Sequence, residues 1–219
     1  MGMISLSTLI SRTRTRYEAE SGGSSVRWSD TDITLFINEG LECLAEASGF
    51  YERYCAMPVQ AERTYYDVRG FTPETVVSIK SIWSTARNDW LKPISIEELD
   101  TTWESATGDP LAFFTRGIFW IGVYPHAGTT ASGYLRVYFS GIPNRYGFSQ
   151  AVLGDLPDNH TVALEDYALY ELAALDKQPK RALVHFASYL KREKALAAQL
   201  DRRLVGSTKT RLGRLGGRI

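Results

Sequence analysis

Residues 159–204 read NHTVALEDYALYELAALDKQPKRALVHFASYLKREKALAAQLDRRL, and the period of their apolar positions decides the fold class. Leu164, Tyr167, Ala168, Leu172 and Leu175 recur at three and four residues, the spacing that puts side chains on one helix face. Ala163, Tyr170 and Ala174 make the opposite side apolar too, so this helix is expected between neighbouring elements or against another subunit. A second helix carries Leu183, Phe186, Ala187, Leu190, Ala197, Leu200 and Leu204 on one side, with Lys191, Arg192, Glu193 and Lys194 elsewhere. Gln178-Pro179 separates the two, because proline has no amide to give a helix interior. The pair predicts an antiparallel hairpin whose second rod is about 35 Å long at about 1.5 Å per residue.

The segment that follows, VGSTKTRLGRLGGRI, has too few apolar residues to build a core. Arg202, Arg203, Lys209, Arg211, Arg214 and Arg218 are basic, and no acid lies beyond Asp201. The chain is neutral overall, with 25 basic and 25 acidic residues, so removing these six leaves 19 bases against 25 acids upstream. An acidic body with a basic tail implies a partner for the tail. Leu212, Leu215 and Ile219 alternate with the arginines, a pattern suited to a groove that offers both pockets and carboxylates.

Upstream, Leu6, Leu9, Ile10, Thr13 and Tyr17 share one face of a helix expected over 5–20, with Arg12, Arg14 and Arg16 off that face. A loop is expected at Ser21–Ser25. Ser29 then caps a helix whose first turn holds Asp30 and Asp32, whose core face is Ile33, Phe36, Ile37, Leu41 and Leu44, and which Ser48-Gly49 ends. From Phe50 the pattern turns to short runs rich in Tyr, Val, Ile and Thr. Strands are expected at Tyr51–Met57, Arg63–Val68, Thr75–Trp83, Leu111–Thr115, Ile118–Tyr124 and Gly133–Ser140, with a short helix at Ile96–Asp100 and a tight hairpin at Arg116-Gly117. They suggest a small antiparallel sheet, sandwich or partial barrel. Residues 142–158 read as a loop returning the chain to helix.

The expected fold is therefore α+β: a helical bundle built from both chain ends, an inserted antiparallel β module, and an extended C-terminal arm. The segments are 1–49, 50–141, 142–205 and 206–219. At 219 residues this is one large domain, or one with an insertion. No apolar run reaches the eighteen or so residues of a membrane span, and Arg12, Arg14 and Arg16 follow the first apolar residues rather than precede them, the wrong order for a secretory signal. Cys43 and Cys55 make no disulfide framework and are expected to be free in a reducing cytoplasm.

Motifs for chemistry are missing. His126, His160 and His185 stand apart with no metal-ligand spacing, and capping or packing explains His160 and His185. Glu97-Glu98 and Glu165-Asp166 read as solvated helix starts, since adjacent helical residues point about 100° apart. There is no phosphate loop, no G-x-S-x-G elbow and no nucleophile with a base beside it. No catalytic, cofactor-binding or metal residue is assigned, and a non-enzymatic protein is expected. Trp83, Trp90, Trp103 and Trp120 would serve a core or an interface, with a carbohydrate-binding β module as the alternative.

Taken together, WSDTDITLFINEGLECLAEASGFY (28–51), GDPLAFFTRGIFWIGVYPHAG (108–128) and the hairpin at 160–200 resemble head-to-tail adaptor proteins of tailed bacteriophages. The resemblance runs from Trp28 to Leu204. It implies a virion component at the head-tail junction: a homo-oligomeric ring, commonly of twelve copies, docked beneath the portal protein and presenting a surface to the tail or nozzle. Genomic DNA would pass through its channel without sequence-specific binding. It also implies lateral packing through Leu164, Tyr167, Tyr170, Leu183, Phe186 and Leu190. The portal arm would be Arg202, Arg203, Lys209, Arg211, Leu212, Arg214, Leu215, Arg218 and Ile219.

Overall fold

The computed structural model describes residues 4–21, 28–99, 101–128, 133–145, 156 and 160–215, the last with side chains to residue 202. Ser21 ends the first helix, and the rest of the loop expected at Ser21–Ser25, most of the return loop and the last four residues of the arm lie outside them. The fold is α+β. The chain divides into two compact units, a helical one of residues 1–50 with 144–219 and a β unit of residues 51–143.

The helical unit holds α1 (Leu6–Ser21), α2 (Asp30–Ser48), α3 (Thr161–Leu175) and α4 (Pro179–Leu215). Both N-terminal faces fall as their periods require: Leu6, Leu9, Ile10, Thr13 and Tyr17 of α1 are buried, and so are Ile33, Phe36, Ile37, Leu41 and Leu44 of α2. A reciprocal cap starts α2. Ser29 Oγ accepts from the Asp32 amide at 3.1 Å, and Asp32 Oδ2 accepts from the Ser29 amide at 2.9 Å. The same helix ends on Gly49, whose amide donates to the Ala45 carbonyl at 2.9 Å. Against these, Leu164, Ala168, Leu169 and Leu172 of α3 fill the middle of the core. Gly40 of α2 lets α3 come close, since a Cβ there would lie 2.8 Å from Cγ of Tyr167.

α3 and α4 form the expected hairpin. His160 meets Gln199, Asp166 meets Arg192 and Tyr170 meets Phe186, so residue numbers run in opposite directions across the pair. Two details differ from the periodic reading. Leu175 is 49 % exposed at the end of α3, and Leu183 of α4 is 68 % exposed, with Ala187 exposed beside it. The inward face of α4 is turned by one residue and runs through Ala182, His185, Tyr189 and Leu196. The reason is polar. His185, Ser188, Arg192 and Gln199 have partners inside the bundle, and they turn the helix toward those partners. The third difference is length: α4 continues as helix to Leu215 instead of ending at Leu204, so the arm begins as an extension of the rod. No proline interrupts residues 180–219, and isolated glycines such as Gly206 cost only about 1 kcal/mol each in a helix.

The β unit holds β1 (Glu52–Pro58), β2 (Tyr65–Asp67), β3 (Thr75–Ser84), β4 (Asp89–Trp90), β5 (Lys92–Pro93), β6 (Ala112–Arg116), β7 (Trp120–Tyr124) and β8 (Tyr134–Ile142). They form two four-stranded sheets, ordered β1-β8-β3-β4 and β2-β7-β6-β5. Cys55, Met57, Leu135, Val137 and Phe139 of the first sheet share one core with Tyr66, Phe113, Ile121 and Val123 of the second. Of the three forms expected, the unit is a sandwich. It is not wholly antiparallel: β5 runs parallel to β6. The chain changes sheets at Leu91, whose amide donates to Ile82 at 2.8 Å while the next amide, of Lys92, donates to Leu111 at 3.0 Å. Of the helix expected at Ile96–Asp100, Asp100 lies outside the described residues and the rest holds a single 3-10 turn, Ile96–Glu98, begun by Ser95 accepting from the Glu97 amide.

Candidate functional site

Arg12, Arg16 and Glu20 lie four residues apart on α1 and so share one face. That face meets the α3–α4 hairpin in a cluster of charges. Arg16 donates to Glu165 at 3.2 Å and to Asp166 at 3.0 Å, while Arg192 and Ser188 of α4 donate to the second oxygen of Asp166 at 2.8 and 2.7 Å. Arg12 stands 3.8 Å from Glu165. One turn further on, Glu20 accepts from Arg181 at 3.3 Å and lies 2.8 Å from Nε2 of His185. This corrects the reading of Glu165-Asp166 as a solvated helix start: both are buried, Asp166 to 1 % exposure. A carboxylate taken from water needs such partners, and here they also fix the register of three helices. Glu97 and Glu98 are exposed, as expected.

The histidines have structural partners. His160 occupies the cap position of α3 without a capping bond from its side chain, and its Nε2 lies 2.8 Å from Oε1 of Gln199 instead. Nδ1 of His126 lies 3.3 Å from the Ala127 carbonyl. Among the described residues no group of three or more His, Cys, Asp or Glu could hold a metal ion, and no helix is long and apolar enough to cross a membrane. Cys43 and Cys55 are free. Burial pushes the Cys55 thiol up to about 11.

Among the described residues the helical unit carries a groove of about 500 Å³ between α2, α3 and α4. Cys43 and Glu46 come from α2, Tyr167 and Tyr170 from α3, and Phe186, Tyr189, Leu190 and Glu193 from α4. Its rings interlock, Tyr167 against Tyr189 at 5.2 Å and Tyr170 against Phe186 at 4.9 Å. Four of the six residues assigned to lateral packing, Tyr167, Tyr170, Phe186 and Leu190, therefore line one surface. Leu183 is exposed outside it, and Leu164 is fully buried in the chain's own core. Of the arm, Arg202 is exposed; the side chains of Arg203, Lys209, Arg211, Leu212, Arg214 and Leu215, and all of Arg218 and Ile219, lie outside the described residues.

Burial raises the pKa of the Tyr167 and Tyr189 hydroxyls, with Cys43 adding to both, and burial also raises that of Tyr66 in the β unit. Above pH ~10 the unfolded chain releases these protons first, so their contribution to stability is intact below that point and is lost as pH rises. Tyr189→Phe should leave neutral stability within about 1 kcal/mol, because its hydroxyl has no hydrogen-bond partner among the described residues. The same change should shift the alkaline unfolding midpoint upward, as followed by circular dichroism against pH; an unchanged or lower midpoint would refute the assignment.

In the β unit, Tyr65, Arg116 and Trp120 line a second cavity of about 300 Å³. Tyr65 is held edge-on by Trp103 and Phe114 at 6.3 and 5.9 Å, and Trp120 is 41 % exposed. On the other sheet Trp83, Trp90, Tyr138 and Tyr54 make a continuous row of rings at 5.2, 5.3 and 5.6 Å. Three of the four tryptophans are half-buried and contribute to packing.

A paired helical surface and a β sandwich suit a part of an assembly. A family model described as SU10 adaptor protein matches residues 4–212. No curated protein matches the chain. With nearly its whole length matched, the chain belongs to the SU10 adaptor protein family, adaptors of the phage head-tail junction with a structural role.

Proposed function

We propose that copies of this chain close into a ring, of twelve subunits as in the adaptors it resembles, that docks beneath the portal protein and offers its other side to the tail or nozzle. The observation that carries this reading is the family match over residues 4–212. In this arrangement residues 1–49 and 142–205 pack side by side around the ring, residues 50–141 form its lower part, and residues 206–219 reach the portal. The open groove between α2, α3 and α4 supports lateral packing, as do the exposed Leu175, Leu183 and Val184. At about 1.5 Å per residue, the 37 residues of α4 make a rod of roughly 55 Å, long enough to carry the arm clear of the bundle. The excess of acids before residue 202 suits a channel wall along which DNA slides without neutralising its phosphates. The work is mechanical, sealing the head and forming the tail attachment surface, and calls for no cofactor.

Deleting residues 205–219 should leave a folded protein that no longer cosediments with portal rings. Normal docking by the truncated chain would exclude the arm from portal binding. The cavity at Tyr65, Arg116 and Trp120 favours one other reading, a tail-associated saccharide site in the β unit. Saturable quenching of tryptophan fluorescence by oligosaccharides would support it.

A further inference from the structure

The groove between α2, α3 and α4 is more acidic than a surface built only for apolar packing. Glu46 and Glu193 stand in its lining. Glu39 and Glu171 add negative charge near the Tyr167 hydroxyl and help to raise its pKa. Glu42 is nearby but already carries Arg145, at 2.7 Å. Glu39, Glu46 and Glu193 have no ion-pair partner among the described residues. Burial, and after it the like charge of Glu39, holds the Glu171 carboxyl above the usual carboxylate range. At the floor, Tyr189 is 2 % exposed and its hydroxyl is unpartnered among the described residues. Aromatic faces edged by carboxylates are the chemistry that holds a guanidinium or ammonium group, by cation–π attraction and charge-assisted hydrogen bonds together.

The chain itself supplies a segment of that chemistry. Residues 202–219 hold six cations, no acid, and Leu204, Leu212, Leu215 and Ile219 for apolar contact. The segment cannot reach its own groove while α4 remains helical. Arg202 lies nine residues beyond Glu193, about 14 Å along the rod, and Leu215 about 33 Å, in the direction leading away. We propose that the groove between α2, α3 and α4 receives the basic C-terminal segment of a second copy of this chain. The inference rests on the reading that copies assemble, and adds how neighbours are joined: each arm crosses its neighbour's acidic groove before its last residues reach any other partner. The energy of such a contact is partly electrostatic, so it weakens with salt.

Cys43 makes the proposal testable without a portal, because it lines the groove and is exposed while Cys55 is buried. A peptide of residues 202–219 carrying Thr208→Cys, mixed with the full chain and a short bismaleimide, should label Cys43. Cys43→Ser should abolish the label, and Glu46→Lys with Glu193→Lys should cut it by about tenfold or more. In the full chain, Thr208→Cys should give a ladder of linked copies on a denaturing gel. Absence of peptide labelling, or labelling indifferent to the charge reversals, overturns the proposal. So does a full chain linked only within itself. Rings seen by electron microscopy in that case would leave the ring reading standing, so the two failures are told apart.

Discussion

Asp166→Ala should destabilise the helical unit by about 3 kcal/mol, at the lower end of the 3–5 kcal/mol lost when one partner of a buried ion pair is removed. The carboxylate is fully covered and serves three donors on two other helices: Arg16 of α1, and Ser188 and Arg192 of α4. Both arginine side chains keep over a third of their surface in solvent, which limits the penalty of leaving them unpaired. Asp166→Asn keeps the shape and one acceptor but loses the charge, and should cost roughly half as much. Urea unfolding followed by far-UV circular dichroism reads both changes. A loss below about 1 kcal/mol for the alanine variant would mean that the cluster behaves as an ordinary surface network.

Gly122→Ala should cost the β unit about 2–3 kcal/mol, through overpacking and disturbed ring contacts together. Gly122 sits in β7 directly opposite Phe114 of β6, and the Phe114 ring lies over it. An added Cβ would fall 2.1 Å from Cζ of that ring. The ring has little freedom to turn aside, since Trp103 and Tyr65 meet it edge-on at 5.3 and 5.9 Å. Phe114→Leu removes the obstacle, so the double variant should lose less than the two single losses combined. Chemical denaturation followed by tryptophan fluorescence measures this, because four of the five tryptophans lie within residues 51–143. Strict additivity would show that the ring does not press on the glycine.

The faces of α1 and α2 were legible because their apolar periods are regular, and α2 also carries capping residues at both ends. Every position assigned to those two faces is buried. The inward face of α4 was not, for an equally physical reason. Its inward side includes His185, Ser188 and Arg192, whose partners are supplied by α1 and α3. Polarity alone places such residues outside. Similarly, Glu165-Asp166 reads as a wet helix start unless the arginines of α1, some 150 positions earlier in the chain, are known to lie across from it. In the β unit the longer strands announce themselves by composition, whereas β4 and β5 have two residues each and owe their existence to neighbours in space. The parallel pairing of β5 with β6 has no local signature. The groove was half visible: Tyr167, Tyr170, Phe186 and Leu190 stood out on α3 and α4, while Tyr189 lies off the face read for α4, and Cys43 and Glu46 belong to a helix that the tertiary fold brings in, Cys43 preceding Tyr167 by 124 positions.

The ordering of the two sheets bears on how the protein behaves when many molecules crowd together. Bare strand margins invite strand-to-strand zippering and amyloid-like stacking. Here three of the four margins, β4, β5 and β2, are two or three residues long, and β5 ends in Pro93, which has no amide to offer. The fourth, β1, carries Glu52 and Arg53 at one end and Pro58 at the other. Margins this brief or this charged give a stray chain little to grasp, so concentrated protein can stay dispersed until its helical surfaces find their partners.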